Sequence, residues 1–71
     1  MRPVHRFAQN LKEVRDGLDL TQEQVGDACD LHRTEISLLE RAGREPRLET
    51  IAKLARGLQV PVARLFDGIV E

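Results

Sequence analysis

Apolar residues recur three and four positions apart along almost the whole chain, and nowhere do they alternate cleanly with polar ones. The first spacing lays them along one side of a helix, whereas a half-buried strand needs a period of two. Phe7, Leu11, Val14 and Leu18 make the stripe of a first helix, with Gly17 and Asp19 marking its end. A second helix is expected to start at Thr21. There Thr21 and Gln24 have the spacing of a capping box, and Leu20 and Val25 that of a hydrophobic staple. Leu31 and Ile36 repeat the staple around His32, so a third helix should run from about Arg33 to Arg41. "AGREPR" reads as a loop. Leu48, Ile51, Leu54, Ala55 and Leu58 form the stripe of a fourth helix, whose N-cap, Arg47, cannot accept a hydrogen bond. Pro61 suits the first turn of a short fifth helix, with Val62, Leu65 and Phe66 facing inward. The pattern predicts an all-α fold, a compact five-helix bundle forming a single domain over residues 1–71.

Two of these helices are separated by very little chain, and they must cross closely to pack. Val25, Cys29, Leu31, Ile36 and Leu39 supply the apolar groups between the second and third helices and against the first. Gly26 removes a side chain where backbone presses on backbone, and Asp30 tolerates the left-handed conformation a tight turn needs. The spacing specifies a helix-turn-helix over about residues 21–41, whose second helix keeps Arg33, Thr34, Ser37, Leu38 and Arg41 toward solvent.

Size and composition narrow what such a face can do. A chain of 71 residues has a modest core and little room for a deep enzyme pocket. Its 41% hydrophobic and 32% charged residues are those of a soluble globular protein. No apolar run is long enough to span a bilayer, and the N-terminal segment has no signal-peptide core, so no membrane association is expected. A single cysteine excludes an internal disulfide framework and leaves the cytoplasm as the default compartment. Cys29 reads as a small core hydrophobe, and with His5 and His32 it does not make metal-ligand spacing. No nucleophile–base pair or paired carboxylates stand out, so the chain is not expected to be an enzyme. Neither a cofactor nor a small-molecule ligand is indicated.

The formal charge of −1 counts against a nucleic-acid partner, but the charge is unevenly distributed. Asp16, Asp19, Glu23, Asp27 and Asp30 form an acidic block, and Arg33, Arg41, Arg44 and Arg47 follow as a basic one.

Two longer segments, "LTQEQVGDACDLHRTEISLLERA" and "EPRLETIAKLARGLQVPVARLF", resemble the phage repressor and Cro type of helix-turn-helix domain, the XRE family. The resemblance runs from Phe7 to Gly68. Within the family the chain is especially similar to the short controller proteins of restriction-modification systems, through its "RT-x-IS" stretch. It departs from the family pattern in four places. Asp19 and Asp30 stand in turns that usually carry Gly, Ala42 replaces the Gly that ends the third helix, and Arg47 replaces a Ser or Thr cap. Gly43 is available to take over the exit from the third helix.

The resemblance implies a regulator of transcription that binds double-stranded DNA, with the third helix in the major groove. Arg33 would read guanine bidentately. Thr34 and Ser37 would meet bases or phosphates, and Leu38 a thymine methyl. Glu35 is expected to orient Arg33 or face solvent rather than accept from cytosine N4, because phosphates repel a carboxylate. Phosphate contacts are expected from the start of the second helix at Thr21 and Gln22, and from His32, Arg41, Arg44 and Arg47, with Asn10 and Lys12 as weaker candidates. The resemblance also places Arg15 opposite Glu40 as a structural salt bridge. One small module reads few base pairs, so a homodimer on a palindromic operator is expected. Residues 60–71 would form its interface, through Leu65, Phe66, Ile69 and Val70. The competing expectation is an antitoxin or other protein-interaction module built on the same fold, with its acidic helices toward the partner.

Overall fold

The computed structural model describes residues 2–69. Five helices follow in order: α1 (Pro3–Gly17), α2 (Gln22–Cys29), α3 (Arg33–Glu40), α4 (Leu48–Leu58) and α5 (Val62–Leu65). No strand occurs among the described residues. Pro3 opens α1 at a position where no intrahelical donor is needed. At Thr21 the capping box is formed: Thr21 Oγ1 accepts from the Gln24 amide at 3.1 Å, and Gln24 Oε1 accepts from the Thr21 amide at 2.9 Å. Both staples close as well, with Val25 and Ile36 fully buried and Leu20 and Leu31 packed against the core.

One cluster holds the helices together. Leu11 of α1, Val25 of α2, Ile36 and Leu39 of α3, Leu54 of α4 and Leu65 of α5 are its most deeply buried members. Cys29 lies in the same core, where burial pushes its thiol pKa up. Four residues expected inside are exposed instead. Leu48 is 86% exposed because it is the first residue of α4 and no neighbour covers that end. Leu18 falls just past the end of α1, as its cap residue, and turns outward. Val62 opens the single turn of α5 and Phe66 follows it, and that turn buries only Leu65. Phe66 nonetheless meets Phe7 edge to face, ring centroids 6.1 Å apart.

Two close approaches set the angle at which α2 meets its neighbours. A Cβ on Gly26 would lie 2.6 Å from the Leu31 carbonyl oxygen, so the turn into α3 requires glycine there. A Cβ on Gly57 would lie 2.6 Å from the Ala28 carbonyl oxygen and 2.8 Å from Cys29 Cα, which lets α4 sit against α2.

The four longer helices share one ending. In each, a residue just past the helix is left-handed, and the next amide donates five residues back. The left-handed residues are Asp19, Asp30, Ala42 and Gln59, with φ between 57° and 60°. The returning bonds run from Leu20 to Arg15, Leu31 to Gly26, Gly43 to Leu38 and Val60 to Ala55, at 2.8–3.1 Å. This is the Schellman arrangement, made four times without glycine at the left-handed position. It also corrects one expectation. Ala42 itself makes the exit from α3, and Gly43 takes the following position.

Candidate nucleic-acid interface

The third helix leans on the rest of the fold through Ile36 and Leu39, which are buried. On the opposite side, the adjacent Ser37 and Leu38 lie three and four residues after Thr34 and four and three before Arg41, so the four form one row. Thr34 and Arg41 are exposed, and Ser37 and Leu38 half-buried. Arg33 stands one turn above Ser37, and Glu35 one turn above Leu38, so two long side chains flank this row on opposite sides. Arg33 is exposed and has no ion pair among the described residues, although it shares a concave stretch of surface with Glu23 and Asp27.

His32 is the N-cap of α3, its Nδ1 accepting from the Thr34 amide at 3.0 Å. An Nδ1 that accepts leaves the ring proton on Nε2, free to donate outward.

Both carboxylates of α3 are neutralised by arginines from elsewhere. Arg15 of α1 donates to Glu40 through Nε at 2.6 Å and Nη2 at 3.0 Å, a bidentate pair almost closed to water. The hydrogen bond to Glu40 outweighs burial and raises the Arg15 pKa above its ordinary value. Arg15 Nη1 also donates to the Leu20 carbonyl at 2.9 Å, which fixes the chain between α1 and α2. Arg44, in the loop after α3, donates to Glu35 Oε1 at 2.7 Å. Glu35 therefore pairs with Arg44 and does not orient Arg33. The remaining charges are those of Arg41 on the outward row and Arg33 beside it.

Several expected contacts are placed differently. One N–H of the Gln22 side-chain amide donates inward to Glu40 Oε1 at 3.1 Å, so it joins the network behind α3. Thr21 spends its own amide on Gln24, and the free amides at this helix start are those of Gln22 and Glu23. Asn10 is buried and donates to the carbonyls of Leu65 and Asp67 at 2.9 and 2.8 Å, so it ties α5 to α1 and cannot reach a nucleic acid. Arg41, Arg47 and Lys12 are exposed, Arg47 capping α4 without a side-chain bond.

Leu65 is wholly buried in the protomer and so cannot line a dimer interface. Phe66 and Ile69 are accessible in part and line an apolar groove with Val4, Phe7, Pro46 and Ile51. Val70 lies outside the described residues.

Among the described residues no helix is long and apolar enough to cross a membrane, and no group of three or more His, Cys, Asp or Glu is placed to hold a metal ion.

Comparison with known proteins agrees with this geometry. A family model described as "Helix-turn-helix" matches residues 11–65. Control protein C.BamHI of Bacillus amyloliquefaciens is 37% identical over 62 residues, covering 86% of this chain and 76% of that protein. Control protein C.SmaI of Serratia marcescens is 38% identical over 60 residues, covering 84% and 71%. The crystal structure of the restriction-modification controller protein C.AhdI from Aeromonas hydrophila superposes with a TM-score of 0.86 at 33% identity, covering 89% of this chain and 96% of that one.

Proposed function

The chain belongs to the helix-turn-helix family, and from that premise we propose that it is a transcriptional regulator binding double-stranded DNA in a sequence-specific way. The observation that carries this reading is the outward row of α3. Four residues at helical spacing are left free by the core, an Arg33 with no ion pair among the described residues stands at the N-terminal end, and arginines cancel the carboxylates on either side. N-terminal side chains of such a helix meet base edges in the major groove. Arg33 takes the guanine, Thr34 and Ser37 bond to bases or phosphates, and Leu38 meets a thymine methyl.

Phosphates supply most of the affinity. The free amides at the start of α2, with the Thr21 hydroxyl, meet the backbone on one side of the groove. Arg41, Arg44 and Arg47 flank the other, and His32 donates through Nε2. The similarity to control proteins supports a role in governing restriction-modification genes.

A homodimer on a palindromic site completes the reading, with half-site centres roughly 10–10.5 bp apart. Its interface is the apolar surface of Phe66, Ile69 and the neighbouring groove. Sedimentation as a monomer at micromolar concentration would remove the dimer. The site of action is the cytoplasm, where such genes are transcribed.

The test is selection of bound sequences from random duplexes by the wild type and Arg33→Ala. A recovered half-site that loses preference at one base pair in the variant supports direct reading. A uniform loss makes Arg33 a phosphate contact. No salt-dependent binding to duplex DNA, with tight capture of a protein partner, would turn the assignment toward an antitoxin.

A further inference from the structure

We propose that Glu35 is a second base-reading residue of α3, selecting cytosine, and that Arg44 is the positioning residue that lets a carboxylate work there; the proposal rests on the DNA-binding reading above. Glu35 lies in the first turn of the helix, the part that meets base edges. It flanks Thr34 on the side opposite Arg33, so the two long side chains reach toward different base pairs. A carboxylate in a groove accepts from cytosine N4, the complement of what a guanidinium does with guanine.

The physical objection is repulsion from the phosphates, and the structure answers it. Arg44 contacts Glu35 at 2.7 Å through Oε1 alone, which cancels the charge and leaves Oε2 without a bond to protein among the described residues. The Glu35 side chain is 21% exposed, so its approach is confined, while Arg44 is 51% exposed and keeps its other nitrogens for a phosphate. With its arginine half open to water, such an ion pair contributes little to the stability of the fold.

The experiment is selection from random duplexes, with affinities measured on the recovered site and its single-base variants. It compares wild type, Glu35→Gln, Arg44→Gln and Arg44→Lys, each checked for an unchanged fold by thermal melting. A wild type that recovers a half-site establishes the parent reading. A wild type that recovers none overturns both. Given a half-site, Glu35→Gln is expected to lose cytosine preference at one position by about ten-fold, with adenine gaining there, because a carboxamide pairs with adenine. Arg44→Gln is expected to relax the same position, and Arg44→Lys to restore part of it. Tighter binding of Glu35→Gln to all sequences by one common factor, with no position changed, would overturn the proposal and make Glu35 a source of repulsion only.

Discussion

The guanidinium of Arg15 and the carboxylate of Glu40 lie side by side behind the outward helix, joined by two parallel hydrogen bonds and each largely shut off from water. Gln22 adds a third donor to the same carboxylate, so α1, α2 and α3 converge on one group. Removing one partner strands the other charge, which costs more than the pair contributes. Glu40→Ala is expected to destabilise by about 3 kcal/mol, lowering Tm by more than about 10 °C. Binding by the folded fraction should show no change at any single base pair. An unchanged melting temperature would count against the pair.

Ala42 pays for the exit from α3 with a left-handed conformation that strains any residue bearing a Cβ. Ala42→Gly is expected to stabilise by about 0.5–1 kcal/mol, the relief being partly offset by a freer unfolded chain. Urea unfolding should show a higher midpoint at an unchanged slope. Gly43→Ala is the contrasting variant: its φ is not positive, and an added Cβ meets Leu38 at 3.3 Å, so it should not gain stability.

Arg47→Ser should move stability and binding in opposite directions. A serine can accept from the first amides of α4 where arginine cannot, worth about 1 kcal/mol of stability. The same change removes the phosphate contact proposed for Arg47, so affinity for all duplexes should fall together. The slope of log K against log salt should shrink by about 0.9. Calorimetry and binding measured across salt concentrations check both halves, and an unchanged salt slope would take Arg47 off the DNA.

Cys29 predicts an alkaline limit. Burial raises its folded pKa, so above about pH 8.5 the unfolded chain gives up the thiol proton while the folded one keeps it. Stability is then lost as pH rises toward the folded value, at up to about 1.4 kcal/mol per pH unit. Denaturant unfolding of the wild type should weaken more steeply between neutral and alkaline pH than that of Cys29→Ala. Parallel curves for the two would remove the thiol from the account.

Much of this architecture can be read from local spacing. Thr21 with Gln24, Leu20 with Val25 and Leu31 with Ile36 are neighbours in the chain, and the caps and staples they imply are formed. Gly26 and Asp30 are legible for the same reason, because the turn that needs them, from Asp30 to His32, is close to both along the chain. Asn10 is not, since its carbonyl partners are 55 and 57 residues away and a polar residue at that spacing looks like surface. Gly57 shows only as a weak point in a helix until α2 is laid across it. Leu48 fits the stripe of α4 by period alone, and only the packing reveals that nothing covers it. At the candidate interface the outward row follows from helical period, whereas Arg44 reaches Glu35 through a loop whose path the sequence does not specify.

The left-handed residues that close four helices have a consequence for the molecule's lifetime in a cell. A domain this small folds with little margin, so a modest change in free energy alters the fraction open to proteases several-fold. Asp19, Asp30, Ala42 and Gln59 are therefore places where a single codon change can tune abundance while every residue on the outward face of α3 stays as it is.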